Sequence, residues 1–223
     1  MRGIREIAGG QIPPDILRPM LYGLLLDLEF LHSDAHIVYI EIQEGNVMLS
    51  ITDPTILDEV LEAEAEDLQP SKVDGDPIIY PSVDIDMPDD PGQPVICDFG
   101  DAKVGTGPFE GEVMPDLYRA AEILLKIAWD SKTDIWAFGL MTWDLLEGKH
   151  LFNERLPSRE ESSEAHLVRM VSLLGPPPKD LLERSSVPEK FFDNEGKLKA
   201  GGKIGTALED GKVFWKGRRS PNT

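Results

Sequence analysis

The chain has 223 residues, 41% of them hydrophobic, enough for one domain with its own core or for two small ones. Its 41 Asp and Glu stand against 22 Lys and Arg, a net charge of −19. That balance argues against direct nucleic-acid binding, since phosphates need cationic partners, and makes a basic protein or peptide the natural complement.

Residues 1–13 read as a loop, broken by Gly9-Gly10 and Pro13-Pro14. Pro14-Asp15 opens a helix, proline being tolerated in a first turn. Ile16, Met20, Leu24, Leu28 and Leu31 recur at helical spacing as a buried stripe that ends near His32-Ser33. Residues 37–50 read as a strand, a tight loop with Gly45, and a second strand, with Glu41 and Asn46 projecting from the loop. Residues 53–68 form an acidic amphipathic helix with Ile56, Val60 and Leu61 on one side. Residues 74–94, rich in Asp, Pro and Gly, read as an extended insertion whose acids are solvated.

Residues 95–100, Val-Ile-Cys-Asp-Phe-Gly, are an apolar strand that Gly100 turns sharply. Asp98 then stands at a strand end, where a hard cation could take its oxygens. Cys97, the single cysteine, excludes an internal disulfide and reads as a buried structural thiol. Residues 101–118 are loop and residues 118–125 a short helix. Residues 132–146 are apolar on all faces, which implies a helix at the centre of the fold, with Asp134 capping loop amides or the helix itself. Residues 165–174 form another amphipathic helix, ended by Gly175 and three prolines. Poor order is expected over residues 193–223.

The most apolar stretch, residues 20–31, contains Asp27 and Glu29 and is too short to span a bilayer. The N-terminus lacks the apolar segment of a secretion signal. The expectation is a protein of the cytoplasm, the nucleus or both, with no membrane contact; oligomeric state is left open.

In order, the chain reads Tyr39-Ile-Glu41 with Asn46 five positions on, Asp98-Phe-Gly, Tyr118-Arg-Ala-Ala-Glu122, and Asp134-Ile-Trp-Ala-Phe-Gly. This series resembles the larger, C-terminal lobe of a eukaryotic protein kinase, an α+β, mainly α fold with short β hairpins at the catalytic and Asp-Phe-Gly loops. Leu28-Glu-Phe-Leu-His-Ser-Asp-Ala-His, Trp129-Asp-Ser-Lys-Thr-Asp and Leu173-Leu-Gly-Pro-Pro-Pro are similar to the SR-protein kinases, the fungal members above all. The likeness covers residues 12–192, with residues 53–94 as an acidic insertion. It implies a serine/threonine kinase acting on Arg/Ser-rich proteins, with ATP and Mg²⁺ as cofactors. Asp98 and Asn46 would be metal ligands, Met48 would lie under the adenine, and Glu41 would stand at the catalytic base. Glu122 and Asp134 would be structural, the first anchoring the segment after the Asp-Phe-Gly turn and the second the catalytic loop.

The chain departs from that pattern at Tyr39, Glu41 and Gln43, where the family has His, Asp and Lys, and at Ala121, where it has Pro. These residues contain no Gly-rich phosphate loop and no Val-Ala-Ile-Lys strand, so a large lobe without its small lobe, truncated at both ends, is expected. The basic partner that the family gives the Glu122 position has no counterpart. Two functions follow: a kinase-like domain that retains an ATP site with weakened phosphotransfer, or a catalytically dead lobe that binds basic Arg/Ser-rich partners.

Overall fold

The computed structural model describes residues 2–66, 71–73, 75–80, 92–152, 159–187, 191–193 and 199. Most of the expected disordered tail, and part of the acidic insertion, lie outside them.

The N-terminal segment is not all loop. Helix α1 spans Arg2–Ile7 and stops where Gly9 and Gly10 take φ of 77° and 102°, values open to glycine. Helix α2 follows over Pro14–Ser33. Its buried stripe is Leu17, Met20, Leu24, Leu28 and Leu31. Ile16 is half exposed, so the stripe begins one residue later than expected: Leu17, three before Met20, is the position that faces the core.

Strand β1, Ile37–Val38, and strand β2, Val47–Leu49, flank the first loop. Helix α3, Thr55–Glu66, is capped by Asp53, whose Oδ1 accepts the Thr55 N–H at 2.9 Å. None of its residues is buried, and Leu61 is exposed, so the apolar side seen in the sequence meets no core. Strands β3, Lys72–Val73, and β4, Ile78–Ile79, pair antiparallel inside the insertion. Strands β5, Pro94–Ile96, and β6, Lys103–Val104, flank the Asp-Phe-Gly turn.

The two functional loops are not hairpins. Strand β1 pairs with β6, and β2 pairs with β5 in the register Val47↔Ile96, Met48↔Val95, Leu49↔Pro94. Each arm of one loop is therefore tied to an arm of the other, which holds residues 39–46 and 97–102 side by side.

Helix α4 is short, Ala121–Leu124, and helix α5 runs Lys132–Glu147. Helix α5 buries Ala137, Leu140, Met141 and Leu145 against α2, together with two acids, Asp134 and Asp144. Gly148 ends it at φ 70°, and a Cβ there would meet the Gly10 carbonyl oxygen at 2.7 Å. That close approach seats the α1–α2 connection on the helix end. The Ile12 N–H and the Gln11 side chain donate to the carbonyls of Leu145 and Glu147 at 2.9 and 3.1 Å, satisfying acceptors a helix terminus leaves open. Helices α6, Arg159–Leu174, and α7, Lys179–Arg184, complete the described chain. Among the described residues no helix is long and apolar enough to cross a membrane.

Candidate active site

The first loop is hung from α5 by one buried carboxylate. Asp134, fully buried, accepts the Tyr39 N–H at 2.8 Å on Oδ2 and the Ile40 N–H at 2.6 Å on Oδ1. His32 Nε2 lies 2.8 Å from Oδ2, so α2 joins the same grip. Ile40 takes φ of 63°, a left-handed value a β-branched residue rarely adopts. Such strain persists where surrounding contacts over-determine it, and the two N–H bonds do so here. Of the two roles open to Asp134 in the sequence, it takes the first: it holds loop amides.

The same loop is stitched to the Asp-Phe-Gly turn. The Tyr39 hydroxyl donates to the Cys97 carbonyl oxygen, and its ring meets Phe99 edge-on at 5.1 Å. The Cys97 N–H donates to the Asn46 carbonyl at 2.9 Å. Asn46 Nδ2 donates to the Glu41 carbonyl at 3.0 Å, and the Asn46 side chain also interacts with the Tyr39 hydroxyl. Cys97 is half-buried, not buried, because the strand opens to solvent as it enters the turn. Asp98 sits at φ 65°, exposed, with one long contact from the Gly100 N–H at 3.4 Å.

Glu41, Asn46 and Asp98 are therefore neighbours: the Asn46 amide bonds the Glu41 carbonyl, and Asp98 lies near enough for its charge to act on Glu41. Partial burial, and then the nearby charges of Asp101 and Asp98, push the Glu41 carboxyl above its usual range. Met48 is 58% exposed and Val95, its cross-strand partner, 43% exposed, so the two make one open apolar face on the β2–β5 pair.

Among the described residues no group of three or more His, Cys, Asp or Glu could hold a metal unaided. One carboxylate and one amide oxygen fit Mg²⁺ better than a metal needing a full protein cage, because Mg²⁺ binds through one or two carboxylates plus substrate phosphates. A nucleotide could rest its base on Met48 and Val95 and bring the phosphates to Asp98.

Several residues of this region escape sequence reading. Asp101 acts on Glu41 across the turn. Asp144 is buried in α5, where its Oδ2 accepts the Tyr118 hydroxyl and the His150 Nδ1–H, each at 2.6 Å. Its signal was present: a second acid inside an apolar helix, on the face of Asp134. Arg5 reaches Glu44 of the first loop at 2.5 Å from a segment read as loop. Glu122, expected to anchor the segment after the turn, finds no ion-pair partner among the described residues.

A sequence profile of the protein kinase domain matches residues 82–193. The chain is 34% identical over 210 residues to a serine/threonine protein kinase of Aspergillus fumigatus, covering 92% of this chain and 50% of that protein. It is 26% identical over 233 residues to the serine/threonine-protein kinase SRPK of Physarum polycephalum, covering 94% and 53%. Against the serine/threonine-protein kinase SKY1 of Saccharomyces cerevisiae it is 28% identical over 118 residues, covering 53% and 16%. The chain spans about half the length of the first two of these relatives. With a profile match over half its residues and kinases of the SR type among its relatives, the chain belongs to the protein kinase family.

Proposed function

We propose that the chain carries the catalytic loop of a serine/threonine protein kinase of the SR-protein kinase type, with weakened phosphotransfer. The observation that supports this most is the double tie between the Asn46 main chain and side chain, on one side to Cys97 and on the other to Glu41. That tie supports a reading in which the Asn46 amide, the Asp98 carboxylate and Glu41 serve one site. In this reading Asp98 and Asn46 hold Mg²⁺, and Met48 with Val95 carries the adenine. Bound Mg²⁺-ATP supplies the phosphoryl group. Glu41 accepts the proton of a serine hydroxyl, and its raised pKa makes the ionised carboxylate a stronger base.

Two features weaken the chemistry. Glu41 carries one more methylene than aspartate, and misplacing a catalytic group by about 1 Å can cost on the order of 10²-fold in rate. Gln43 supplies no cation to the developing charge of the transferred group, a loss that geometry does not restore. Phosphoryl transfer to an Arg/Ser peptide tests this. Slow transfer that Glu41→Ala removes is the expected result; transfer unchanged by that substitution would remove Glu41 from the reaction.

The second reading is a lobe without catalysis that binds basic Arg/Ser-rich partners. The neutral Gln43 and the net charge of −19 favour it. Peptide binding with no transfer, and no response to Mg²⁺-ATP, would select it.

A further inference from the structure

A cleft of about 520 Å³ lies beside the first loop, lined by Gln43, Glu44 and Gly45, by the turn Pro115–Tyr118, by His150, and by Arg5 of α1. Its polar wall is cross-linked. Tyr118 and His150 both bond the buried Asp144 carboxylate, and Asp116 is tied to Arg119 at 2.9 Å. Glu44 is the acid that faces Arg5 across it, three residues after Glu41 and two before Asn46.

The guanidinium of Arg5 forms part of the wall of this cleft, and its pairing with Glu44 is incomplete. One nitrogen reaches one Glu44 oxygen at 2.5 Å. Glu44 Oε2 and Arg5 Nε are both buried, and neither makes a hydrogen bond within the described residues. A guanidinium and a carboxylate can form two parallel bonds, and here they form one. A second arginine, free to approach Glu44 in the plane of its carboxylate, could engage both oxygens. A lysine could not, since its ammonium is a point charge without the fork.

We propose that the cleft is a receptor for an arginine side chain and that Arg5, on its wall, occupies Glu44 in cis, so that α1 bars a basic peptide from the catalytic loop until Arg5 is displaced. This rests on the basic-partner reading above and names the contact through which it is regulated. A peptide arginine held at Glu44 would lie alongside Glu41, with α1 swung away.

The test measures binding of an (Arg-Ser)4 peptide and a (Lys-Ser)4 peptide to the full chain at 0.15 M salt, where bulk charge is screened. Arg5→Ala should tighten (Arg-Ser)4 about tenfold if the cleft is closed about nine-tenths of the time, since apparent affinity falls with the competent fraction. Binding of (Lys-Ser)4 should change far less. Arg5→Lys, which keeps the charge but loses the fork, should give a smaller gain in the same direction, and it carries the test if Arg5→Ala does not fold. Glu44→Gln should abolish the preference for arginine over lysine. Equal binding by wild type and both Arg5 variants would overturn the latch and leave the basic-partner reading standing. Arginine preference surviving Glu44→Gln would overturn the receptor. No binding by any folded variant would remove the basic-partner reading and the receptor with it.

Discussion

The Asp134 carboxylate and the Ile40 N–H are 2.6 Å apart, and this bond joins the central helix to the loop that carries Glu41 and Asn46. It also holds Ile40 in a conformation the residue would not choose. Asp134→Ala should therefore destabilise by about 3 kcal/mol or more, since two buried N–H groups lose a charged acceptor. Asp134→Asn should cost less, because its remaining oxygen still serves one N–H. Urea unfolding with an unchanged m-value checks this. A loss under about 1 kcal/mol for the alanine variant would contradict it.

Tyr39 links the two loops twice, through its hydroxyl and its ring. Tyr39→Phe removes one hydrogen bond and should cost about 0.5–1.5 kcal/mol. Tyr39→Ala empties a fully buried site and should cost about 3–5 kcal/mol. Burial pushes the phenols of Tyr39 and Tyr118 well above the ordinary tyrosine range, and for Tyr118 the Asp144 carboxylate adds to it. Replacing either by Phe should leave the alkaline absorbance change below pH 11 unaltered.

His166 gives the stability a dependence on pH. Burial lowers its pKa to about 4, with the Arg119 charge adding to the shift and a hydrogen bond to the Asp116 main chain opposing it. The unfolded chain then binds the proton more readily than the folded one between about pH 6.5 and 4. The contribution is complete above pH 6.5 and is lost as pH falls through that window, a change on the order of 3 kcal/mol. His166→Gln should flatten the fall in stability between pH 7 and 4.5. An equally steep fall in the variant would contradict the assignment.

Glu41 has the opposite sign. Its raised pKa means that ionised Glu41 opposes folding, and the cost is complete once pH exceeds its folded value. Asp101→Asn removes one of the charges responsible. It should raise the melting temperature at pH 7 by a few degrees at most, the neighbouring groups being partly solvated. The gain should fade as pH falls toward the range in which Glu41 is protonated. A lower melting temperature at pH 7 would show that Asp101 supports the site instead.

How much of this was legible depends on what carried the signal. Long periodic runs gave α2 and the central helix α5, because burial repeats along them. The stripe of α2 slipped by one residue at Ile16, where a helix entry has too few turns to fix its phase. The family motifs put Glu41, Asn46 and Asp98 in one region, and the strand pairing brings them there. What the sequence hid is the means. Strands of two or three residues have no periodicity to read, so the cross-pairing of β1 with β6 and β2 with β5 was mistaken for hairpins. Arg5 was missed for a related reason: α1 is a single helix of six residues, too short to establish a period, and its role depends on a contact with Glu44, 39 positions away.

The most direct test of the central claim, that Glu41, Asn46 and Asp98 build one Mg²⁺-nucleotide site, is thermal unfolding with and without Mg²⁺-ATP. A ligand at 100 times its Kd adds about 2.7 kcal/mol. In a domain of this size that is a rise of roughly 5–10 °C. The account predicts such a rise, dependent on Mg²⁺ and absent in Asp98→Ala. No rise at millimolar Mg²⁺-ATP, or an equal rise in Asp98→Ala, would contradict it.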